Sequence, residues 1–391
     1  MTQENLENLE KIGLNAEAKM LKFEIYRDEL VEGLQKVQRG VAKKTTMPIL
    51  EGIKFEAKDH QLMLTSSNLD ISVESVIQTK VTERGSIVLP SDFLYSLVKK
   101  WDGDNIIVEE KTEGIVTMTC GRSTCKIKGM SAKEFPAFPE PKEAYNFEIP
   151  SDTLRVMIKQ TVYAVAVNES FPVLTGEKWE VDNNALTVVG LDGYRMAIHI
   201  GKLSKPIAEP LSITVPGKAL KELERMLPDK GNIAIQVSGS QIFFKIDSQT
   251  TFTSRLLEGE YIDYKKVIPQ DKKTVVKVNR SDLLNSVERS ALLANDHNHN
   301  TVIFSIQDEE LVVKANSQLG DSEEVLPIQK WGDDLQIAFN AKFLIEALQS
   351  CTDDFVKIRM MGPLSPALIT SEDTSLVTII LPIKINTTES V

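Results

Sequence analysis

Polar and apolar residues alternate along many short segments of the chain, and longer segments with helical apolar spacing separate them. The segments QLMLTSSNLDISVESVI and QIFFKIDSQTTFTSRLL are typical of strands, whose side chains point alternately to two faces. Leu30, Leu34, Val37 and Val41 instead recur every three or four residues, as on one face of a helix. The pattern therefore predicts helices mixed with antiparallel strands.

Six helix-start signals are spaced regularly along the chain. They fall at Arg27-Asp28, Ser91-Asp92, Ser151-Asp152, Gly217, Ser281-Asp282 and Asn340-Ala341. Most of these positions carry small polar residues, which we expect to cap the free amide groups of the first helical turn.

The chain contains an internal repeat. FEIYRDEL at Phe23 resembles FEIPSDTL at Phe147, and MPILEGIKFE at Met47 resembles FPVLTGEKWE at Phe171, with the same offset of 124 residues. A fainter third copy includes VVKVNRSDLL and IAFNAKFLIEAL. Each copy has two helix starts, so the repeat predicts an α+β protein of three similar domains. Each domain would be a pseudo-two-fold pair of helix-plus-antiparallel-sheet units.

We place the predicted domains at 20–145, 146–270 and 271–391. Residues 1–19 are acidic and precede the strand-like LKFEIY, so we expect them to be an extension or an added segment outside the core. With 391 residues, 42% of them apolar, the chain is typical of a multidomain globular protein. No apolar run is long enough to span a bilayer and no signal segment opens the chain, so we expect a cytoplasmic protein without a membrane partner.

The charge distribution allows two interpretations. The whole chain has a formal charge of −11, whereas the six helical segments together are slightly positive. Ordinary solvation of helix surfaces explains such a bias, and so does a mildly basic helical face that meets a polyanion.

Candidate catalytic chemistry is sparse. The sequence lacks a glycine-rich phosphate loop, a nucleophile elbow and a His-Glu-x-x-His motif, so we predict no catalytic residue, no metal and no cofactor. The His-x-His in Asp296 to Asn300 keeps a metal-dependent enzyme open as an alternative. The stretch VGLDGYRMAIH, from Val189 to His199, fits a catalytic loop, a phosphate-binding turn or the rim of a docking surface.

Several motifs in order resemble one family. MPILEGI, GRSTCKIKGMSAKEFP, LDGYRMA, TSRLLEGEYIDYKKVIP, IAFNAKFLIEAL and LPIKI resemble the bacterial DNA polymerase III beta subunit, the sliding clamp, from about Met20 to Ile385. The resemblance implies a head-to-tail homodimer that forms a six-domain ring, with helices lining a hole for duplex DNA. It also implies a processivity factor without catalysis, which tethers the polymerase III alpha subunit, the clamp loader, and other polymerases and repair proteins through short peptides.

The resemblance also assigns candidate site residues. The expected DNA contacts are Lys44 first, then Lys99, Lys100, Lys218, Lys221 and Lys266 by helix position and charge, and Asn168, Pro172 and Val173 in a family loop. The expected walls of a partner-peptide groove between the second and third domains are Leu174, Leu191, Gly193, Tyr194, Arg195, Met196, Ile262, Val267, Ile379, Leu381 and Pro382, with Asn340, Phe343 and Pro366 bordering a second sub-pocket. The expected dimer contact joins Cys125 and Ile127 to Leu292 and Leu293.

Some residues depart from the family pattern. Relatives often have His at the position of Tyr194, Pro at that of Ile262 and Met at that of Leu381, so the preference of the groove for particular peptides does not carry over. Pro172 and Val173 replace polar or aromatic residues and weaken the expected DNA contact of that loop. A monomeric peptide-binding scaffold that does not bind DNA is the remaining alternative.

Overall fold

The structure, a computed structural model of the chain, describes residues 20–142, 144–168, 170–269, 271–294, 300–318, 320–372 and 375–384. The predicted extension 1–19 and most of the His-x-His segment therefore lie outside the described residues. The chain separates into two compact units. Unit 1 contains 20–142 and Phe243–Ser254, and unit 2 contains 144–242 and 255–384.

The helices of the described residues begin within one residue of the predicted starts. They are α1 (Arg27–Val37), α2 (Ser91–Lys99), α3 (Ser151–Thr161), α4 (Gly217–Glu224), α5 (Arg280–Ala291) and α6 (Ala341–Ser350). The six helix-start predictions are thereby confirmed.

The expected capping by serine is wrong. Pro90 and Pro150 occupy the N-cap positions of α2 and α3, so Ser91 and Ser151 are the first helical residues. The hydroxyl of Ser91 instead donates to the Glu51 carbonyl oxygen at 2.7 Å, which ties the helix start to an earlier segment. Side-chain caps do occur at α5 and α6, where Asn279 and Asn340 accept backbone N–H groups.

The strands connect these helices in chain order. The first third contains β1 (Lys22–Tyr26), β2 (Gly52–Lys58), β3 (Gln61–Ser67), β4 (Ile71–Gln78), β5 (Lys80–Glu83), β6 (Gly85–Pro90), β7 (Asn105–Thr112), β8 (Ile115–Cys120), β9 (Ser123–Lys128) and β10 (Met130–Ser131). The second contains β11 (Tyr145–Pro150), β12 (Gly176–Asp182), β13 (Ala185–Leu191), β14 (Arg195–Lys202), β15 (Leu211–Pro216), β16 (Asn232–Ser238), β17 (Gln241–Lys245) and β18 (Thr250–Arg255). The last contains β19 (Thr274–Asn279), β20 (Thr301–Gln307), β21 (Glu310–Ser317), β22 (Gly320–Pro327), β23 (Gln329–Gly332), β24 (Leu335–Asn340), β25 (Phe355–Met360), β26 (Ala367–Thr370) and β27 (Leu376–Ile380).

Unit 1 has two antiparallel sheets and two helices. One sheet has the order β5-β1-β7-β8-β9, and strands β10-β6-β2-β3-β4-β18 lie side by side in the other. Helix α1 packs on β3 and β4 through Leu30, Leu34 and Val37, which are fully buried. Three of the four residues in the helical apolar stripe thus form the core-facing side of α1, whereas Val41 lies beyond its end.

Unit 2 contains a nine-stranded sheet with the order β15-β12-β13-β14-β27-β26-β25-β19-β23. Strand β14 pairs antiparallel with β27, so that Met196 lies opposite Ile379 and the second and third repeats share one sheet. Helices α5 and α6 pack against each other over a core that includes Phe304 and Phe339, whose rings meet edge to face at 5.5 Å. A four-stranded sheet, β22-β21-β20-β24, lies in the same unit.

The predicted α+β class with helices and antiparallel sheets in repeated units is confirmed. The domain boundaries at 145 and 270 stay a prediction. In the part of the chain that the structure describes, no helix is long and apolar enough to cross a membrane. A search of those same residues finds no cluster of three or more His, Cys, Asp or Glu side chains that is able to hold a metal ion.

Candidate functional site

The Asp-Gly-Tyr-Arg stretch forms the tight turn between β13 and β14. The Oδ1 atom of Asp192 accepts the backbone N–H groups of Tyr194 at 2.9 Å and Arg195 at 3.0 Å. Gly193 has φ = +90°, a conformation that favours glycine, and open space surrounds its α-carbon. Asp192 therefore shapes the turn, as short polar side chains do when they bond to nearby backbone groups.

Arg195 is the centre of a buried polar cluster. Its Nε donates to Asp192 Oδ2 at 3.1 Å, its Nη1 forms an ion pair with Glu346, and its Nη2 donates to the Tyr163 carbonyl oxygen at 2.8 Å. The guanidinium carbon also lies 4.5 Å from the ring centre of Phe343. A buried arginine is stable only when its donors are paired, and here the pairing fixes α6 against the turn.

An apolar cavity of about 210 Å³ opens beside this turn. Its walls are Leu191, Gly193, Tyr194, Arg195, Met196, Ile262, Val267, Ile379 and Leu381. Leu191, Met196 and Ile379 are buried and form its floor, whereas Tyr194 and Ile262 expose 66% and 46% of their surface at its rim. A concave apolar surface with exposed apolar rim residues is typical of a site for an apolar anchor side chain.

Nine of the groove residues expected from the sequence line this cavity. Leu174 lies in the apolar cluster that supports it, and Phe343 stacks on Tyr194 with ring centres 6.4 Å apart. Asn340, Pro366 and Pro382 do not line the cavity. Asn340 has a separate role, because its side chain accepts the Lys342 N–H and caps α6.

Sequence reasoning missed three residues at this site. Leu368 belongs to the apolar cluster beneath the cavity, and Tyr163 and Glu346 hold Arg195. Helical spacing was a usable signal for Glu346, because it follows Phe343 by one turn of α6. Tyr163 contributes a backbone carbonyl oxygen, which no side-chain pattern reveals.

Tyr163 and Tyr261, two tyrosines near the cavity, remain protonated at neutral pH. Burial raises the pKa of Tyr163 to about 12, although Thr378 and other polar neighbours oppose the shift. Burial also raises the pKa of Tyr261, whose hydroxyl donates to the Val189 carbonyl oxygen at 3.2 Å. These neutral hydroxyl groups hold the structure around the cavity through hydrogen bonds, with Tyr261 as a donor, a role that suits binding rather than proton transfer.

Most of the predicted DNA-contacting lysines are exposed. Lys44 lies in the loop before the short 3₁₀ helix Pro48–Glu51, and Lys99 and Lys100 lie at the C-terminal end of α2. Lys218 and Lys221 lie on the exposed side of α4.

Lys266 lies on the other face of the nine-stranded sheet from α3 and α4. On β12, Glu177 bonds to Thr161 of α3, whereas Glu180 bonds to Tyr264 beside Lys266. Residues three apart on a strand point to opposite faces, and α3 packs against α4. The expectation that Lys266 belongs to the helical surface is therefore not supported, since its charge is paired with Asp263 on the opposite face.

The family loop at Asn168 to Val173 makes mostly local contacts. The Oδ1 atom of Asn168 accepts the Ser170 N–H at 2.6 Å, and Pro172 is exposed at the start of the 3₁₀ helix Pro172–Thr175. Val173 packs against the apolar cluster of the cavity. Its side chain thus supports the cavity.

The predicted dimer residues lie at one sheet edge and one helix end. Cys125 and Ile127 belong to β9, an edge strand of its sheet, but Ile127 is only 3% exposed within a single chain. Leu292 follows α5 and is 84% exposed, while Leu293 is half-buried. Leu292 and Cys125 therefore retain surface for a partner, and Ile127 retains little.

Comparison with known proteins identifies the family. The models for the N-terminal, central and C-terminal domains of the DNA polymerase III beta subunit match residues 21–139, 148–263 and 265–384. The beta sliding clamp of Bacillus subtilis is 34% identical over 93% of this chain and all of its own length, and that of Staphylococcus aureus is 30% identical over the same shares.

Solved structures agree with the sequence matches. The DNA polymerase sliding clamp from Bacillus subtilis covers 94% of this chain and all of its own with a TM-score of 0.90 at 34% identity. The beta subunit from the DNA polymerase of Streptococcus pyogenes covers 93% of this chain and all of its own with a TM-score of 0.88 at 29% identity. The resemblance read from the motifs is confirmed, and the chain belongs to the DNA polymerase III beta subunit family, the beta sliding clamps.

Proposed function

We propose that this protein is a DNA sliding clamp that closes as a head-to-tail homodimeric ring around duplex DNA and docks replication proteins in the apolar cavity beside Arg195. The apolar cavity with its exposed rim is the observation that carries the docking proposal. Family membership carries the clamp function itself. Because its work is on chromosomal DNA, we expect the protein in the cytoplasm.

The docked partners would be the polymerase III alpha subunit, the clamp loader, and other polymerases and repair proteins that carry short apolar segments. Full burial of one large aliphatic or aromatic side chain contributes about 1.5–3 kcal/mol. One or two such anchors in a cavity of this size give a modest affinity, which suits partners that exchange on one clamp.

Charge complementarity between two sheet edges supports the dimer. On the edge strand β9, Lys126 and Lys128 are exposed, and on the edge strand β22, Asp321 and Glu323 are exposed. An edge strand presents unpaired backbone groups that are able to pair with another chain. Two such heterologous contacts between two copies close a ring when the rotation between copies is a half-turn.

The DNA contact would be weak and mobile. Lys44, Lys99, Lys100, Lys218 and Lys221 are exposed on a chain whose total charge is −11. Many tight phosphate contacts would make binding strongly salt-dependent and would oppose sliding. A closed ring needs only scattered cations, because topology prevents dissociation.

We infer that the clamp has no catalytic activity of its own. Tethering alone raises processivity, because it turns re-encounter of polymerase and template into an intramolecular event at high effective concentration. A monomeric peptide-binding scaffold is the competing function, and native mass spectrometry at micromolar concentration separates a dimer from it.

Peptide titration tests the docking proposal. We expect Ile262→Asp to weaken binding of a fluorescein-labelled peptide, with a glutamine followed by leucine and phenylalanine, by at least about tenfold, since about 1.4 kcal/mol corresponds to tenfold. The matched control is Ile200→Asp, which changes an equally exposed isoleucine on β14 outside the cavity. Equal peptide affinity in both variants, with both still dimeric by native mass, would remove the cavity as the docking site.

A further inference from the structure

We propose that the outer face of the nine-stranded sheet, from the cavity to Trp331, is a second contact surface for the same partner segment that fills the cavity. The occupant is an extended peptide that continues from the cavity anchor, with an acidic residue near Arg359 and an aromatic or aliphatic residue against Trp331. The inference rests on the proposed docking function and adds a specificity element to it.

A continuous row of cross-strand neighbours carries the proposal. The register pairs Leu191 with Met196, Met196 with Ile379, Ile379 with Leu368, Leu368 with Arg359, Arg359 with Val275, and Val275 with Trp331. Directly opposed residues on neighbouring strands have side chains in reach of each other. The row therefore begins at the floor of the cavity and passes Leu368, which is only 7% exposed and lies within the apolar cluster beneath the cavity. It reaches the surface again at Arg359 and Val275 and ends with Trp331 on β23, at the edge of the sheet.

The side chains of this row lie on one face of the sheet. Val276 and Ile358 point into the core beneath α5 and α6 and are about 1% exposed. Val275 precedes Val276 and Arg359 follows Ile358 by one position, and both are half-exposed, as alternation on a strand requires. Leu368 and Ile379 belong to the apolar cluster of the cavity, which fixes the row on the cavity side.

The length of the row matches a short extended peptide. Four strand-to-strand steps separate Ile379 from Trp331. Neighbouring strands lie about 4.8 Å apart, so the row spans roughly 19 Å, and an extended chain at about 3.3 Å per residue covers it with about six residues. A partner thus needs about six residues beyond its anchor to reach Trp331.

Trp331 is an exposed aromatic anchor at the end of the row. Its side chain is 52% exposed and is therefore available to a partner. Tryptophan is among the residues most often found at binding hot spots. Gly332, with φ = +96°, allows the end of β23 to pass the Lys273 carbonyl oxygen, because a Cβ there would lie only 1.8 Å from that oxygen. The backbone therefore holds Trp331 in place at the edge.

The charge along the row selects an acidic partner. Within the described residues, no carboxylate lies within ion-pair distance of Arg359 or of its neighbour Lys357. The nearby acids are already engaged, since Glu372 pairs with Lys277 and Asp334 pairs with Lys330. A carboxylate from the partner would complete the pairing of Arg359 midway along the row.

The test compares a short and an extended peptide on the full chain. The short peptide carries only the cavity anchor, and the extended peptides add six residues at either end, with glutamate third and phenylalanine sixth. We expect one extended peptide to bind at least about fivefold more tightly than the short one, and Trp331→Ala to remove that difference without changing the affinity for the short peptide. Ile200→Ala, at an exposed apolar position of unit 2 outside both the cavity and the row, is the matched control.

The Arg359→Gln variant measures how much the charge of Arg359 contributes to binding of the extended peptide, separately from the contribution of Trp331. It should weaken binding of the glutamate-containing extended peptide and leave its glutamine analogue unchanged. Equal affinity of short and extended peptides for the wild-type protein, or an equal effect of Trp331→Ala on both, would overturn the proposal. Failure of the short peptide itself to bind would overturn the docking function on which the proposal rests, so the two failures are distinguishable.

Discussion

Glu177 is a buried carboxyl group whose hydrogen bonds define its protonation state. The Thr161 hydroxyl lies 2.7 Å from the Met157 carbonyl oxygen and 2.8 Å from Glu177 Oε1, and a hydroxyl has one hydrogen. The carbonyl oxygen only accepts, so the Thr161 hydrogen points to it and the protonated carboxyl donates to Thr161. Trp179 Nε1 donates to the other carboxyl oxygen at 3.1 Å, and burial raises the pKa of Glu177 to about 8 although Trp179 and Lys221 favour the ionised form.

Glu177→Gln should flatten the dependence of stability on pH. The folded-state pKa of about 8 exceeds the unfolded value, so the folded protein binds this proton more tightly. The stabilisation is complete below about pH 4.3 and is lost as pH rises towards 8, at about 1.4 kcal/mol per unit. Urea unfolding followed by tryptophan fluorescence at pH 5, 6, 7 and 8 measures the free energy of unfolding of the wild type and the variant.

Glu180→Gln is the matched control on the same strand. Burial opposes the shift, but hydrogen bonds from Tyr264 and Lys265 lower the pKa of Glu180, so its own contribution changes only in acid. Parallel stability profiles of wild type and Glu177→Gln between pH 5 and 8 would show that Glu177 is ionised in the folded protein.

Glu346→Gln should loosen the wall of the cavity. Arg195 would keep Asp192 and the Tyr163 carbonyl oxygen but lose its ion pair with α6. The glutamine amide oxygen still accepts a hydrogen bond but carries no charge, so the buried guanidinium loses charge compensation. This loss lowers the free energy of unfolding by about 1–3 kcal/mol, and Phe343 above the guanidinium should be held less firmly. We expect a several-fold weaker affinity for the anchor peptide in the same titration.

The exposed Glu288 provides the comparison for that variant. It accepts a hydrogen bond from Gln349 on α6 at 3.2 Å and lies away from Arg195. If Glu288→Gln and Glu346→Gln bind the peptide as tightly as the wild type, the Arg195 cluster does not position the cavity wall.

At the scale of elements, hydrophobic spacing was sufficient to predict the helices. Apolar stripes preceded or opened by Asp, Gly or Asn predicted all six helix starts, because burial of one helix face and turn chemistry act locally. Pro before Ser at α2 and α3 displaced the expected caps, since the proline itself became the N-cap. Whether a serine occupies the N-cap or the first helical position depends on where the backbone enters the helix, which the residue type alone does not define.

The cavity was predictable mainly through the family resemblance, which assigned both the stretch from Leu191 to Met196 and distant positions such as Ile262 and Ile379. The turn motif alone did not decide between a catalytic loop, a phosphate-binding turn and a docking rim. Lys266 was expected on the helical surface, but a charge on a short 3₁₀ helix does not reveal which face of the sheet it occupies, and its contact with DNA stays a prediction. Leu368 was missed because its contact with Ile379 depends on pairing of β26 with β27, a register that spacing does not fix.

Reversing charge on the two edge strands tests the proposed dimer at this same scale. Lys126→Glu with Lys128→Glu should yield monomers, because the altered β9 would face Asp321 and Glu323 on β22 with like charge. Combining it with Asp321→Lys and Glu323→Lys should restore the dimer. Sedimentation velocity at micromolar concentration measures both, and a dimer that survives the first pair of changes alone would exclude these edges.

At the scale of the whole molecule, an acidic protein that holds DNA must do so by means other than net charge. With a formal charge of −11, the chain repels a polyanion at long range, so affinity from phosphate contacts alone would be low and would fall further with salt. A closed ring avoids this problem, because a clamp on circular DNA cannot leave without opening. Retention should then depend on DNA topology and only weakly on ionic strength.

We therefore expect clamps placed on nicked circular DNA by a bacterial clamp loader to co-elute with the DNA in gel filtration at 0.5 M salt, a concentration that screens surface charge within about 4 Å. Cutting the circle with a restriction enzyme should release them, since a ring slides off a free end. The Lys126→Glu, Lys128→Glu variant is the control and should not be retained on either DNA, because a monomer encloses nothing. Equal retention on circular and linear DNA, or loss from both as salt rises, would mean that phosphate contacts hold the protein and that it does not encircle the duplex.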